Sequence, residues 1–178
     1  MRTIGIAIVA LFTLLLLGGT VGYTMEGTVD DTPTPNVQGL VFFADDPLPG
    51  NAASLVLNAD TTITWDRDDI FLVIADGGKK KQCDDIANGG SLSGFDTTSQ
   101  TCSYGDEGYV AKGDNGADGV DWRVESGEFY AGIGTKEGVL PAGTQLDIQY
   151  SIDLTLSAAG YMFLMLGEVA GILLLRQK

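Results

Sequence analysis

Gln145-Leu146-Asp147-Ile148-Gln149-Tyr150-Ser151-Ile152-Asp153-Leu154-Thr155-Leu156 alternates polar and apolar residues without a break. Successive side chains of a strand point to opposite faces. The alternation therefore puts Leu146, Ile148, Tyr150, Ile152, Leu154 and Leu156 on one face and the polar residues on the other. This is a half-buried strand. It runs straight into the apolar segment 158–175, about 18 residues and enough to cross a bilayer core with little tilt. The sequence after it is Arg176-Gln177-Lys178. A β-domain is thus expected to hang from a membrane by its last strand, with almost no linker.

Upstream of that strand, short apolar runs recur between turn residues. Gly39–Phe43, Ser54–Asn58, Thr61–Asp66, Tyr109–Lys112, Val120–Glu125 and Glu128–Gly134 read as strands. Ile70–Ala75 is uninterruptedly apolar, as expected for a central strand covered on both faces. No amphipathic helix intervenes. About seven or eight strands of this kind predict an all-β fold, an antiparallel β-sandwich. Leu140-Pro141-Ala142-Gly143-Thr144 reads as the turn before the last strand.

The N-terminal end is also apolar. Ile4 to Leu17 is interrupted only by Thr13 and is preceded by Arg2, the pattern of a signal peptide. The run continues to about Tyr23, long enough to span, so residues 1–23 are either a cleaved signal peptide or a retained membrane anchor. Arg2 at one end and Arg176 and Lys178 at the other both assign the chain ends to the cytoplasm and the middle to the outside. The resulting division is 1–23 signal or anchor, 24–37 an acidic Pro/Thr linker, 38–157 the extracytoplasmic sandwich, 158–175 the transmembrane helix and 176–178 a basic cytoplasmic tail. The protein is expected in the cell membrane, single-pass or two-pass according to the fate of residues 1–23.

Charge and composition exclude several functions. The chain of 178 residues has a formal charge of −14, and three of its cations lie at the ends. Such a surface repels nucleic acid and matches anionic headgroups poorly. There is no histidine, the commonest general base and transition-metal ligand. No nucleophile elbow, phosphate loop or zinc motif appears. An enzyme is therefore not expected, nor is a required cofactor.

Cys83 and Cys102 both fall in the exterior part and close a loop of roughly 20 residues, a disulfide worth roughly 3 kcal/mol in the chain-entropy account. They lie in the long irregular stretch between Asp76 and Glu107. Lys79-Lys80-Lys81 opens this stretch and reads as a solvated turn offsetting Asp84 and Asp85.

Two constellations are candidate sites. Asp114, Asp118 and Asp121 fall at partial calcium-loop spacing, with Gly119 at the sixth position and Glu125 at the twelfth. Position three is Gly116, which supplies no side-chain oxygen, and an acidic β-turn explains the same residues. Second, Glu168 stands mid-way in the C-terminal apolar segment, where a carboxylate costs roughly 2.5–3.5 kcal/mol on insertion scales. It lies within Gly167-x-x-x-Gly171, the spacing that lets two helices approach closely. Either Glu168 is protonated in lipid or drawn toward the inner interface, or a helix contact forms through Gly167, Glu168 and Gly171, with the N-terminal segment, where Thr13 lies at about the same depth, or with a second copy or another membrane protein.

Asp68-Asp69-Ile70-Phe71-Leu72-Val73 is similar to the Asp-rich start of a central strand in pre-peptidase C-terminal β-sandwich domains. Ser126-Gly127-Glu128-Phe129-Tyr130-Ala131-Gly132-Ile133 resembles their Gly-x-Tyr-Tyr strand, and Leu146 to Leu156 their closing strand, over residues 60–156. The order of signal, disulfide-bearing sandwich, helix and short tail also resembles the GOLD-domain cargo receptors. The coiled-coil stalk of that family is missing here, and Arg176-Gln177-Lys178 does not match its tail signals. Both resemblances imply binding or scaffolding and bring no catalytic set. The expected function is a non-enzymatic binding or scaffold module of a membrane complex, in contact with the lipid bilayer and a membrane or surface protein. The alternative is a calcium- or carbohydrate-binding surface module using residues 114–121.

Overall fold

A computed structural model describes residues 2–35, 37–87, 102–136 and 140–176. Most of the chain is β-structure, framed by two apolar helices. Helix α1 spans Arg2–Val21 and strand β1 Tyr23–Pro33. Strands β2 (Phe42–Phe43), β3 (Leu57–Trp65) and β4 (Ile70–Asp76) follow, then helix α2 (Gly77–Ala87). Strands β5 (Tyr109–Gly113), β6 (Val120–Arg123), β7 (Phe129–Thr135) and β8 (Gln145–Leu156) lead to helix α3 (Ala158–Arg176). The strands form two antiparallel four-stranded sheets, β1-β8-β3-β6 and β2-β7-β4-β5.

One apolar cluster joins the sheets. Ile63 and Trp65 of β3 and Trp122 of β6 meet Ile70, Leu72 and Ile74 of β4, with Leu146 of β8 among them. The other face of β4 carries Phe71 and Val73, which pack with Val41, Phe43, Tyr104 and Tyr109 in a second cluster. That explains the unbroken apolar run at Ile70–Ala75: both faces are covered, and residues 70–75 are all buried. Each such large side chain contributes about 1.5–3 kcal/mol on leaving water.

Several elements differ from the sequence reading. The supposed linker is mostly strand β1, paired to β8 from Tyr23↔Leu154 to Pro33↔Gln145. Its register slips between Val29 and Thr32, where Asp31 takes φ 57° and donates its N–H to Asp147 Oδ1 at 3.0 Å. The expected strands Ser54–Asn58 and Thr61–Asp66 merge into β3, because residues 52–56 are a turn and nothing breaks Leu57 to Trp65. Gly39–Phe43 shortens to β2.

The lysine triplet belongs to a helix instead of a turn. Asp76 Oδ1 accepts the Lys79 N–H at 2.8 Å, the bond of an N-cap to the third helical residue. Lys80 pairs with Asp84 one turn on, and Lys79, almost wholly buried, pairs with Asp106. Helix α2 also carries Cys83, whose Sγ lies 2.05 Å from that of Cys102, a disulfide. Residues 88–101 of the long stretch between them lie outside the described residues, as do 177–178 of the basic tail.

Candidate functional site: the paired helices and their junction with the β-ribbon

Helices α1 and α3 are long and apolar enough to cross a membrane, with mean hydropathy 2.5 and 1.9. Little of either is covered by the rest of the protein, unlike the core helix of a water-soluble fold. They pack against each other along their length, antiparallel, as β1 and β8 do beyond them.

The contact is built on the glycines. A Cβ on Gly167 would fall 2.2 Å from the Phe12 ring, and one on Gly171 would fall 2.8 Å from Val9 Cγ2. Both distances are well inside van der Waals contact, so the small-residue face of α3 is filled by α1. Beside it, Thr13 Oγ1 donates to Glu168 Oε1 at 2.7 Å. The structure thus brings Gly167, Glu168 and Gly171 together against the N-terminal helix.

Above the helix pair, each chain passes from helix to strand through a single residue. Gly22 ends α1 with φ 74° and returns its N–H to Gly18 O at 3.1 Å, the left-handed cap that glycine adopts without a Cβ clash. Ser157 starts α3, its Oγ accepting the Gly160 N–H at 3.0 Å. The same hydroxyl donates to Leu55 O at 2.6 Å, and the Ser157 N–H donates to Val56 O at 3.0 Å. Residues 55–56 are thereby fixed at the first turn of α3, with Leu55 77% exposed.

The acidic turn is held by side-chain hydrogen bonds. Asp118 Oδ2 accepts from Asn115 Nδ2 at 2.8 Å, while Asn115 Oδ1 accepts the Ala117 N–H at 3.0 Å. Asp121 belongs to β6 and accepts from Thr62 Oγ1 at 2.7 Å across the sheet. Burial, helped by the charge of Asp114, raises the pKa of Tyr104. Among the described residues no group of three or more carboxylates or thiols is placed to hold a metal ion. In the neighbouring acidic run, Arg67 grips Asp69 through Nε at 2.9 Å and Nη2 at 2.7 Å. That bidentate bond lowers the Asp69 pKa.

What sequence reasoning missed is the β1–β8 ribbon. Its signal was present: Tyr23, Met25 and Val29 alternate with Thr24, Glu26, Thr28 and Asp30. Compared with known proteins, the chain matches no family model, no curated protein and no solved structure.

Proposed function

We propose that the chain is a two-pass membrane protein whose β-domain, a β-sandwich outside the cytoplasm, is a non-enzymatic binding or scaffold module of a membrane complex. One observation carries this reading: the antiparallel pair α1–α3 continues directly into the antiparallel ribbon β1–β8. The N-terminal helix fills the glycine face of α3 and hydrogen-bonds its only carboxylate, a role a removable leader would not serve. Arg2 and Arg176 stand at the same end of the pair, the arrangement of basic residues favoured on the cytoplasmic side. The Cys83–Cys102 bond suits the oxidising exterior.

Intact-mass measurement of the purified protein tests the retained helix. Expected is the mass of the full chain less two hydrogens; a chain beginning near residue 23 removes the two-pass reading. Protease added outside intact cells should cut the β-domain. Purification in mild detergent should bring down stoichiometric membrane proteins, whereas a chain that behaves alone argues against a complex subunit.

A further inference from the structure

Strand β1 is the edge of its sheet, hydrogen-bonded to β8 on one side. Among the described residues nothing pairs with its other side. Direct cross-strand partners share a face, so Tyr23, Met25 and Val29 stand with Leu154, Ile152 and Ile148 on the face turned toward the other sheet. The partners on β8 pack against the core, but Tyr23, Met25 and Val29 are 67%, 47% and 50% exposed. The second sheet does not reach this far. Between Met25 and Val29 the missing side chain of Gly27 is replaced by the Tyr150 ring, whose hydroxyl would lie 2.3 Å from a Cβ there. An apolar strip thus follows an unpaired strand edge. The opposite face of β1 carries Thr24, Glu26, Thr28 and Asp30, all exposed.

Edges of this kind pair with other strands unless something blocks them. Blocking features exist on β1, but only at its far end: the slip between Val29 and Thr32, and Pro33, which has no N–H. Tyr23 to Val29 is regular.

Resting on the two-pass reading, we propose that this edge receives an extended segment of a second membrane protein, antiparallel to β1, with apolar residues on the Met25–Val29 face and basic residues beside Glu26. Antiparallel pairing continues the pattern of the whole sheet, and the basic requirement follows from the charge of the exposed face. A second copy does not fit. Antiparallel pairing of β1 with its copy would point the two helix pairs in opposite directions, so one bilayer could not hold both. Lipid does not fit either, because Val29 lies roughly 20 Å along the strand from Tyr23 at about 3.3 Å per residue.

The test uses the full chain in detergent and a fluorescent peptide of alternating valine and lysine long enough to span Tyr23–Val29. Controls are the same composition scrambled, the alternating peptide with glutamate for lysine, and the alternating peptide N-methylated at every second amide. Expected is saturable binding of the first alone, weakened roughly tenfold by Met25→Lys, which places a charge on the apolar strip. Glu26→Lys should shift preference to the glutamate peptide. Both variants are compared by near-UV circular dichroism; where Met25→Lys fails to fold, Val29→Thr replaces it. No saturable binding, equal binding of scrambled or methylated peptide, or indifference to these substitutions overturns the proposal. So does a dimer in lipid nanodiscs that Met25→Lys abolishes, since it gives the edge to a second copy. Peptide binding in detergent does not depend on membrane topology, so intact mass and protease accessibility judge the two-pass reading separately.

Discussion

Thr13 Oγ1 and Glu168 Oε1, far apart in sequence, are joined at 2.7 Å between the two apolar helices. Glu168 is the only acidic residue in either. A carboxyl in hydrocarbon is costly when unpaired, and the hydroxyl of α1 supplies one of its partners. Thr13→Val should therefore weaken the helix pair by about 0.6 kcal/mol, and by no more than about 1.7, the span measured for interhelical hydrogen bonds in lipid. Unfolding titrations in bicelles measure it. Combined with Glu168→Leu, the second substitution should cost less than it does alone; strict additivity would show that the two side chains do not interact.

A leucine Cβ at Gly167 or Gly171 would meet the Phe12 ring or Val9 Cγ2 inside van der Waals contact, so the facing side chains must shift. Overpacking of this sort costs about 1–3 kcal/mol. Energy transfer between dyes attached at Thr3 and Arg176 should fall in Gly171→Leu, and more in the double variant. Transfer equal to that of the unaltered chain would show that α1 and α3 do not pack through these residues.

Leu55 is held by Ser157 at the level where α3 begins. It should touch the bilayer boundary. Bimane attached to Leu55→Cys is expected to be quenched by lipids brominated near the headgroup more strongly than by those brominated near the chain ends. Fluorescence indifferent to either lipid would lift residues 55–56 clear of the membrane.

Burial, helped by the charge of Asp106, pushes the Tyr109 hydroxyl up from 10 to about 12. The folded value exceeds the unfolded one, so this group's contribution is complete below pH 10 and is lost as pH rises through about 12. Stability of the β-domain should fall across that window, and Tyr109→Phe should flatten the fall. A Phe variant with an unchanged alkaline slope would assign the loss to other groups.

Reduction of Cys83–Cys102 frees a loop closed across a sequence separation of 19. About 3 kcal/mol should be lost, read as a lower melting temperature that Cys102→Ser reproduces without reductant. The Val41 N–H, which donates to Cys102 O at 2.9 Å, should lose protection from hydrogen exchange before the inter-sheet cluster does.

The most legible elements are those whose pattern is set by burial. Strand β8 shows a period of two because one face meets the core, and β4 shows none because both faces do. The two apolar helices are legible from apolar length, and the pairing of Thr13 with Glu168 from their matching positions along them. Strand β1 escaped because an exposed edge strand lacks a buried face to enforce contrast, and Asp30, Asp31, Pro33 and Pro35 outweighed its faint alternation. Helix α2 escaped because it opens on Gly77-Gly78, poor helix formers, and draws its order from Asp76, the disulfide and the Lys79–Asp106 pair. In the acidic turn, Asp114, Asp118 and Asp121 share a spacing in the sequence, while the fold places Asp121 on a strand with its carboxylate accepting from Thr62 Oγ1.

Only Gly22 and Ser157 separate the helices from the ribbon, and the two joints are braced side by side. Swivelling needs slack, and neither joint has any. On the two-pass reading proposed above, a sideways load on the β-domain would therefore reach the lipid as tilt of the helix pair, and a change of bilayer thickness would reach the β-domain as a lean of the sheets. Such a molecule would be a lever with its fulcrum where Gly22 and Ser157 meet the helices.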